Sequence, residues 1–266
     1  MAGAPDPVRL ANSFIGVDGV GERTERDLWR AGVTHWDAFD GATAPGVGPT
    51  LGDRIGAFVD EARGRLAAGD ARFFAEALPD REAWRLFEDF RDRAAYLDIE
   101  TTGLSRRRDD VTVVTVHCPG DTRTLVRGRD LSREALEAAL ADAAVLVTFN
   151  GARFDVPFLE TSFGLELDRA HVDLMYPCRR LGLTGGLKAI ERTVGIGRDR
   201  PDLGGRDAVR LWHRYARRGD EGALETLVDY NREDTANLEM LMETVADRLH
   251  REVFEATLAE GAPAGD

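Results

Sequence analysis

Residues 96–100 read Tyr96-Leu97-Asp98-Ile99-Glu100, and no other stretch constrains the chain as tightly. Apolar residues alternate with acids, so the pentad reads as a strand with Asp98 and Glu100 on one face and Leu97 and Ile99 on the other. The rest of the strand is apolar, which places it near the middle of a sheet, where carboxylates need partners. Two carboxylates side by side repel unless a cation lies between them. An ordinary half-exposed strand can also carry Asp-x-Glu, but exposure fits poorly with such apolar neighbours. Thr101-Thr102-Gly103-Leu104 then turns the chain.

Around this strand the pattern alternates strands with helices over residues 93–250. Val111 to His117 and Thr122 to Val126 read as two further strands, joined at the turn Pro119-Gly120-Asp121. Leu131 to Ala143 has helical spacing with Ser132 as an N-cap. Val145-Leu146-Val147-Thr148-Phe149 is a short apolar run of the kind found in buried parallel strands. Helical patterns follow over 156–163, 174–181, 187–194, 206–217 and 222–249, with a short strand near Val172. The order predicts an α/β fold: a mixed five-stranded sheet, three antiparallel strands then parallel crossovers, flanked by helices. Residues 1–92 read instead as a small helical region, and 251–266, ending Gly261-Ala262-Pro263-Ala264-Gly265-Asp266, as a flexible tail.

The helical region holds a repeat. Gly19-Val20-Gly21 and Gly46-Val47-Gly48 are offset by 27 residues, and each leads into a helix. The pattern resembles the helix-hairpin-helix motif, in which glycines let the backbone approach a phosphate at a helix start. Glycine turns between core helices explain the same residues without a ligand.

Net charge, -13 over 266 residues, opposes a nucleic-acid reading, since such proteins usually carry a basic footprint. Lys188 is the only lysine, however, and an acidic surface stripped of lysine resembles that of proteins from salt-loving organisms, where salt screens self-repulsion. A high-GC genome writing Arg for Lys is the plainer source. Cys118 and Cys178 make neither a disulfide framework nor a zinc site. No stretch suits a membrane span, and Met1 to Asn12 has no apolar run behind a basic segment, so a cytoplasmic protein is expected.

Two more acidic pieces follow the first. Asn150-Gly151-Ala152-Arg153-Phe154-Asp155 ends the buried strand, with Asn150-Gly151 readable as a plain turn and Asp155 as an N-cap. Tyr230 and Asp234 are four apart on a helix and share a face, which a simple polar face would also explain. Taken in order, Asp98-x-Glu100, Asn150-x-x-x-Phe154-Asp155 and Tyr230-x-x-x-Asp234 resemble the three motifs of the DnaQ-like (ribonuclease H-like) 3′–5′ exonucleases, of the DEDD set and its tyrosine subclass. The longer text, Tyr96 to Leu104, His171-Val172-Asp173-Leu174 with Arg179-Arg180-Leu181, and Tyr230 to Asp234, is similar to the YprB-like ribonuclease H-like proteins over about Ala95 to Leu249. Relatives can carry His where this chain has Tyr230.

The resemblance implies a nuclease with two divalent ions, Mg²⁺ or Mn²⁺, held by Asp98, Glu100, Asp155 and Asp234, with Asp98 bridging them and Tyr230 positioning water. Carboxylates suit hard cations, and a tyrosine with its ordinary pKa near 10 is better placed to orient water than to remove its proton. Asn150 and Thr101 are weaker candidates for substrate contact. Asp173 reads as a support for these groups or the N-cap of the next helix. Lys188, and more weakly Arg179 and Arg180, are candidates to meet a substrate phosphate; chance retention or a solvated helix face explains them as well. The glycines Gly19, Gly21, Gly46 and Gly48 are candidates for a second nucleic-acid contact. An endonuclease on the same fold and an inactive nucleic-acid binding module are the rival readings.

Overall fold

The computed structural model describes residues 8–261. The first part is helical: α1 (Glu22–Arg30), α2 (Pro49–Ala67) and α3 (Ala71–Ala77), then a 3-10 segment, Asp80–Leu86, running into the single turn α4 (Phe87–Phe90). Gly21 and Gly48 are the N-caps of α1 and α2, and Gly19 and Gly46, two residues earlier in each copy, have φ of 93° and 72°. The repeat read in the sequence is thus one conformation used twice: a left-handed glycine, then a glycine opening a helix.

The second part builds the sheet. Its elements are β1 (Ala94–Thr101), β2 (Val111–Cys118), β3 (Asp121–Val126), α5 (Arg133–Ala139), β4 (Val145–Thr148), α6 (Asp155–Phe163), β5 (Ala170–Asp173), α7 (Met175–Arg180), α8 (Leu187–Val194), α9 (Gly205–Arg218) and α10 (Glu221–Leu249). Strand order is β3-β2-β1-β4-β5, with β1–β2 and β2–β3 antiparallel and β1–β4 and β4–β5 parallel. This is the mixed five-stranded sheet expected, with β1 in the middle. Ser132 caps α5 as expected, its hydroxyl accepting from the Ala135 N–H at 3.2 Å.

The two faces of the sheet bury different residues. Ala95, Leu97 and Ile99 of β1 pack with Val114, Val116, Leu146, Phe158 and Leu159, under α5 and α6. Tyr96 of β1, with Val145, Val147 and Val172, packs toward Leu238, Leu241 and Val245 of α10. Asp98 and Glu100 share the Tyr96 face, so alternation along β1 aims them at α10. At about 1.5 Å per residue, α10 spans on the order of 40 Å, and it is anchored at its start by the Asp220 carboxylate, which accepts from the Ala223 N–H at 3.0 Å.

The change at residue 93 is a change of secondary structure within one core. Leu28, Trp29, Trp36 and Trp84 of the helical part belong to the same apolar cluster as Val145, Val172 and Leu241. Each such buried side chain contributes roughly 1.5–3 kcal/mol, so the shared cluster ties the halves together. The tail differs from expectation: a π-helical turn, His250–Glu255, and α11 (Ala256–Gly261) extend the helix. The reason is burial of Val253, Phe254 and Thr257, with the Phe254 ring edge-on to Trp29 at 4.9 Å between centroids. The Gly- and Ala-rich end that follows, 261–266, hid this apolar anchor; residues 262–266 of the expected tail lie outside the described residues.

Candidate active site

Three elements bring the acids together. Asp98 and Glu100 come from the C-terminal half of β1, Asp155 opens α6 just after β4, and Asp234 lies midway along α10. Ligand sites in such sheets form beyond the carboxyl ends of parallel strands, and β1 and β4 both end here. The β1–β2 register shifts between Glu100 and Thr101, a local irregularity of the kind that re-aims side chains at sites. Carboxylate oxygens of Asp98, Glu100 and Asp234 lie within 4.8 Å of one another. Asp155 is tied to the same strand, its Oδ1 accepting from the Ile99 N–H at 3.2 Å.

These acids line a cavity of about 570 Å³, with Tyr230, Asn150 and Thr101 also on its wall. The wall is partly apolar, with Leu104, Phe149 and Phe154, and carries Arg206. Leu104 is 87% exposed, so its side chain stands in solvent at the rim.

Their electrostatics are those of an unneutralised cluster. Burial, then the charges of Asp155, Asp234 and Glu100, holds Asp98 well above the usual carboxylate range, although the Asn231 amide opposes this by donating to Asp98 Oδ2 at 2.7 Å. Glu100 is raised by burial and by Asp234 and Asp155, with Lys188 acting against the shift. Burial pushes Asp155 up to about 7. Asp234 is raised by burial and pulled back by an ion pair with Arg198. Burial and the neighbouring charges of Asp234 and Glu100 drive the Tyr230 phenol far above its ordinary range. A hard divalent cation is the partner that carboxylates at such separations suit, so the donor set fits one.

The loop after β4 is held by backbone geometry. Asn150 has φ of 63°, a left-handed conformation that Asn tolerates better than most residues. A Cβ on Gly151 would stand 2.3 Å from Thr148 Oγ1, so only glycine fits there. Asp173 organises this turn from β5: its carboxylate accepts from the Asn150 N–H at 2.7 Å and the Ala152 N–H at 3.2 Å. It also accepts from the Met175 N–H at 3.1 Å, so it holds the start of α7, whose N-cap is Leu174, and braces the Asn150 turn at once.

Over residues 95–246, more than half the chain, the sequence matches the RNase_H superfamily. The chain belongs to that superfamily. No curated protein matches the chain. Among solved structures it is similar to the family B DNA polymerase from the hyperthermophilic archaeon Pyrobaculum calidifontis, with 18% sequence identity, TM-score 0.44, and coverage of 64% of this chain and 26% of that one. The chain therefore spans about a quarter of the polymerase's length. It is similar also to Brucella melitensis NrnC with bound Mg²⁺, with 19% identity, TM-score 0.44, and coverage of 66% of this chain and 83% of that one.

Within this RNase_H-superfamily fold, several expected residues lie away from the cavity. Lys188 does not line it: its Nζ is 4.7 Å from the Tyr230 ring centroid and is buried with no hydrogen-bond partner among the described residues. The ring face and the nearby acids draw the ammonium inward. Gly19, Gly21, Gly46 and Gly48 are also absent from its wall. At Gly21 the first turn of α1 carries Glu22 and Glu25, which places negative charge at that helix start. Arg180 is bound to Glu22 at 3.1 Å and to Glu82, while Arg179 is exposed.

Two supports of the acidic cluster were not read from the sequence. Asn231, fully buried, holds Asp98; it sits inside the Tyr230–Asp234 motif, and burial on the α10 stripe was its only signal. Arg198, from the loop after α8, pairs with both Asp234 and Glu191, and Asn237 donates to Glu191 Oε1 at 3.1 Å. These contacts join residues 36 or more apart, or a loop to a helix, and no local pattern encodes them.

Proposed function

We propose that the chain is a divalent-metal-dependent nuclease that hydrolyses phosphodiester bonds, acting as a 3′–5′ exonuclease. The observation that carries the reading is the convergence of four carboxylates from β1, α6 and α10 on one cavity, in a chain of the RNase_H superfamily. Asp98, Glu100, Asp155 and Asp234 would hold the ions, which when bound neutralise charge on the attacking and leaving oxygens of the phosphodiester. Tyr230, on the cavity wall one helical turn before Asp234, orients the attacking water through its hydroxyl; with its pKa raised it keeps its proton and does not act as a base. Asn231 fixes the Asp98 carboxylate, and Arg198 fixes Asp234. The Asp173-braced turn presents Asn150 to the substrate. Leu104, Phe149 and Phe154 give a terminal base an apolar surface to lie on.

The test is a 5′-labelled single strand incubated with Mn²⁺ or Mg²⁺ in potassium chloride, beside Asp98→Ala. A ladder shortening from the 3′ end, lost in the variant, supports the reading. Internal fragments keep the metal-dependent nuclease and replace the exonuclease by an endonuclease. No cleavage of DNA or RNA by a folded protein removes the enzyme.

A further inference from the structure

Beside the acidic cavity lies a second hollow of about 340 Å³ that shares Leu104 and Phe154 with it and is lined by Arg106, Arg107 and Arg153. The three arginines are exposed, and among the described residues none of them forms an ion pair. The chain carries 48 acids against 35 basic residues, so a patch of three arginines without a carboxylate partner is a local excess of positive charge.

The loop between β1 and β2 explains why they stay free. It contains two acids, and both are committed elsewhere. Asp109 faces inward, its Oδ2 accepting from the Ser105 N–H at 2.8 Å, and it packs so close to Gly103 that a Cβ there would meet it at 2.6 Å. Asp110 pairs with Arg127 at 2.8 Å. Further bonds tighten the loop: Arg108 N–H and Asp109 N–H both donate to Ser105 O at 2.8 Å, and Asp110 N–H donates to Thr102 Oγ1 at 2.9 Å. The loop is therefore a braced turn that presents guanidinium groups outward. Arg153 meets them from the other side, from the turn held by Asp173.

We infer that this hollow is the track for the phosphodiester backbone of a single nucleic-acid strand whose end lies at the acids. The inference rests on the nuclease reading of the neighbouring cavity and names its substrate class: a strand long enough to continue past Leu104 and Phe154, as opposed to a mononucleotide. A hollow of this volume suits one nucleotide at a time. Free guanidiniums over an apolar floor supply the two elements of strand binding that ignores sequence, phosphate attraction and a stacking surface. The track also answers the objection raised by net charge, because the attraction is local.

The test measures binding apart from cleavage. Fluorescein-labelled 20-nucleotide DNA and RNA strands of one sequence are titrated by anisotropy with the full chain carrying Asp98→Asn, in Mg²⁺ and a series of potassium chloride concentrations. Adding Arg106→Ser, Arg107→Ser and Arg153→Ser is expected to weaken binding at least tenfold at low salt. The slope of log affinity against log salt should fall by about 2, since each phosphate contact on a single strand contributes about 0.7. Lysine at the same three positions should restore most of the affinity, which separates lost charge from a damaged loop. A charge-matched control, Arg23→Ser, Arg217→Ser and Arg218→Ser, removes exposed arginines that line neither hollow and should bind like its parent. Loss on DNA, RNA or both supports the track and identifies the sugar it accepts. Unchanged binding by the serine variant, or an equal loss in the control, overturns it. Loss of binding in a chain that never cleaves keeps the track and removes the nuclease; unchanged binding in a chain that cleaves does the reverse.

Discussion

Two regions of this molecule bury carboxylates, and they do so in opposite ways. Between α1 and the Asp80–Leu86 segment, Glu25 and Glu82 are almost fully buried against Arg85, which donates to Glu25 Oε2 at 2.8 Å and Glu82 Oε2 at 2.9 Å. Glu25 Oε1 accepts as well from the N–H groups of Phe14 and Ile15 at 2.7 and 2.9 Å. Every charge there has an internal partner. At the end of β1, Asp98 and Glu100 have no ion pair among the described residues; Asp98 has one amide donor, and each faces other acids. The first cluster is complete as folded. The second gathers carboxylates without pairing them, an arrangement that holds protons or suits a cation, and that difference supports the proposed working site, since structural ion pairs also perturb pKa but do so by pairing.

The comparison breaks most sharply if one partner is removed from the complete cluster. Arg85→Met leaves buried Glu25 without an ion pair and Glu82 with only Arg180 and Arg81, and should cost about 3–5 kcal/mol of stability, read by urea unfolding. A smaller loss would mean that the two clusters are not so different. Next in size, a divalent ion should stabilise the protein through the incomplete cluster alone: at about a hundred times its Kd, Mn²⁺ should add about 2.7 kcal/mol to wild type. Asp98→Asn should lose most of that gain, and Arg85→Met should keep it.

Asn231→Ala sharpens the contrast at the next scale. It removes the one donor fixed on Asp98, and loss of such a support typically lowers metal affinity or activity by about 10–100-fold. Calorimetric titration with Mn²⁺ checks this; an unchanged affinity would make Asn231 a packing residue only. The smallest effect is in pH. The folded-state pKa values of Asp98, Glu100 and Asp155 are raised, so the metal-free folded chain holds protons that the unfolded chain releases. Their favourable contribution is complete below about pH 4, the unfolded carboxylate range, and is lost as pH rises through the folded values, about 7 for Asp155. With chelator present, Asp98→Asn should therefore be more stable than wild type at pH 8 by roughly 1 kcal/mol, with a smaller gain at pH 5. Equal effects at both pH values would contradict the repulsion argument.

Local pattern made much of this legible. Alternation along Tyr96–Glu100 put Asp98 and Glu100 on one face, helical spacing put Tyr230 and Asp234 on another, and the order of elements predicted the sheet. What stayed hidden depends on contacts between distant segments. Nothing near Arg198 says that it will reach Asp234, and nothing near Lys188 says that its ammonium will lie over the Tyr230 ring. Asp173 could be read as a cap but not also as the brace of a turn 21 to 23 residues earlier. The terminal helix was masked by the glycine- and alanine-rich end that follows it, 261–266, although Val253 and Phe254 are buried, Phe254 against Trp29.

The central claim is that the incomplete cluster is a two-ion site. Electron paramagnetic resonance of Mn²⁺ titrated into the metal-free protein tests it directly, because two ions about 3.5–4 Å apart couple magnetically. The account predicts two ions per wild-type chain with a coupled spectrum, and loss of coupling in Asp98→Asn. Uncoupled or absent Mn²⁺ in wild type, or a coupled pair that survives Asp98→Asn, would contradict it.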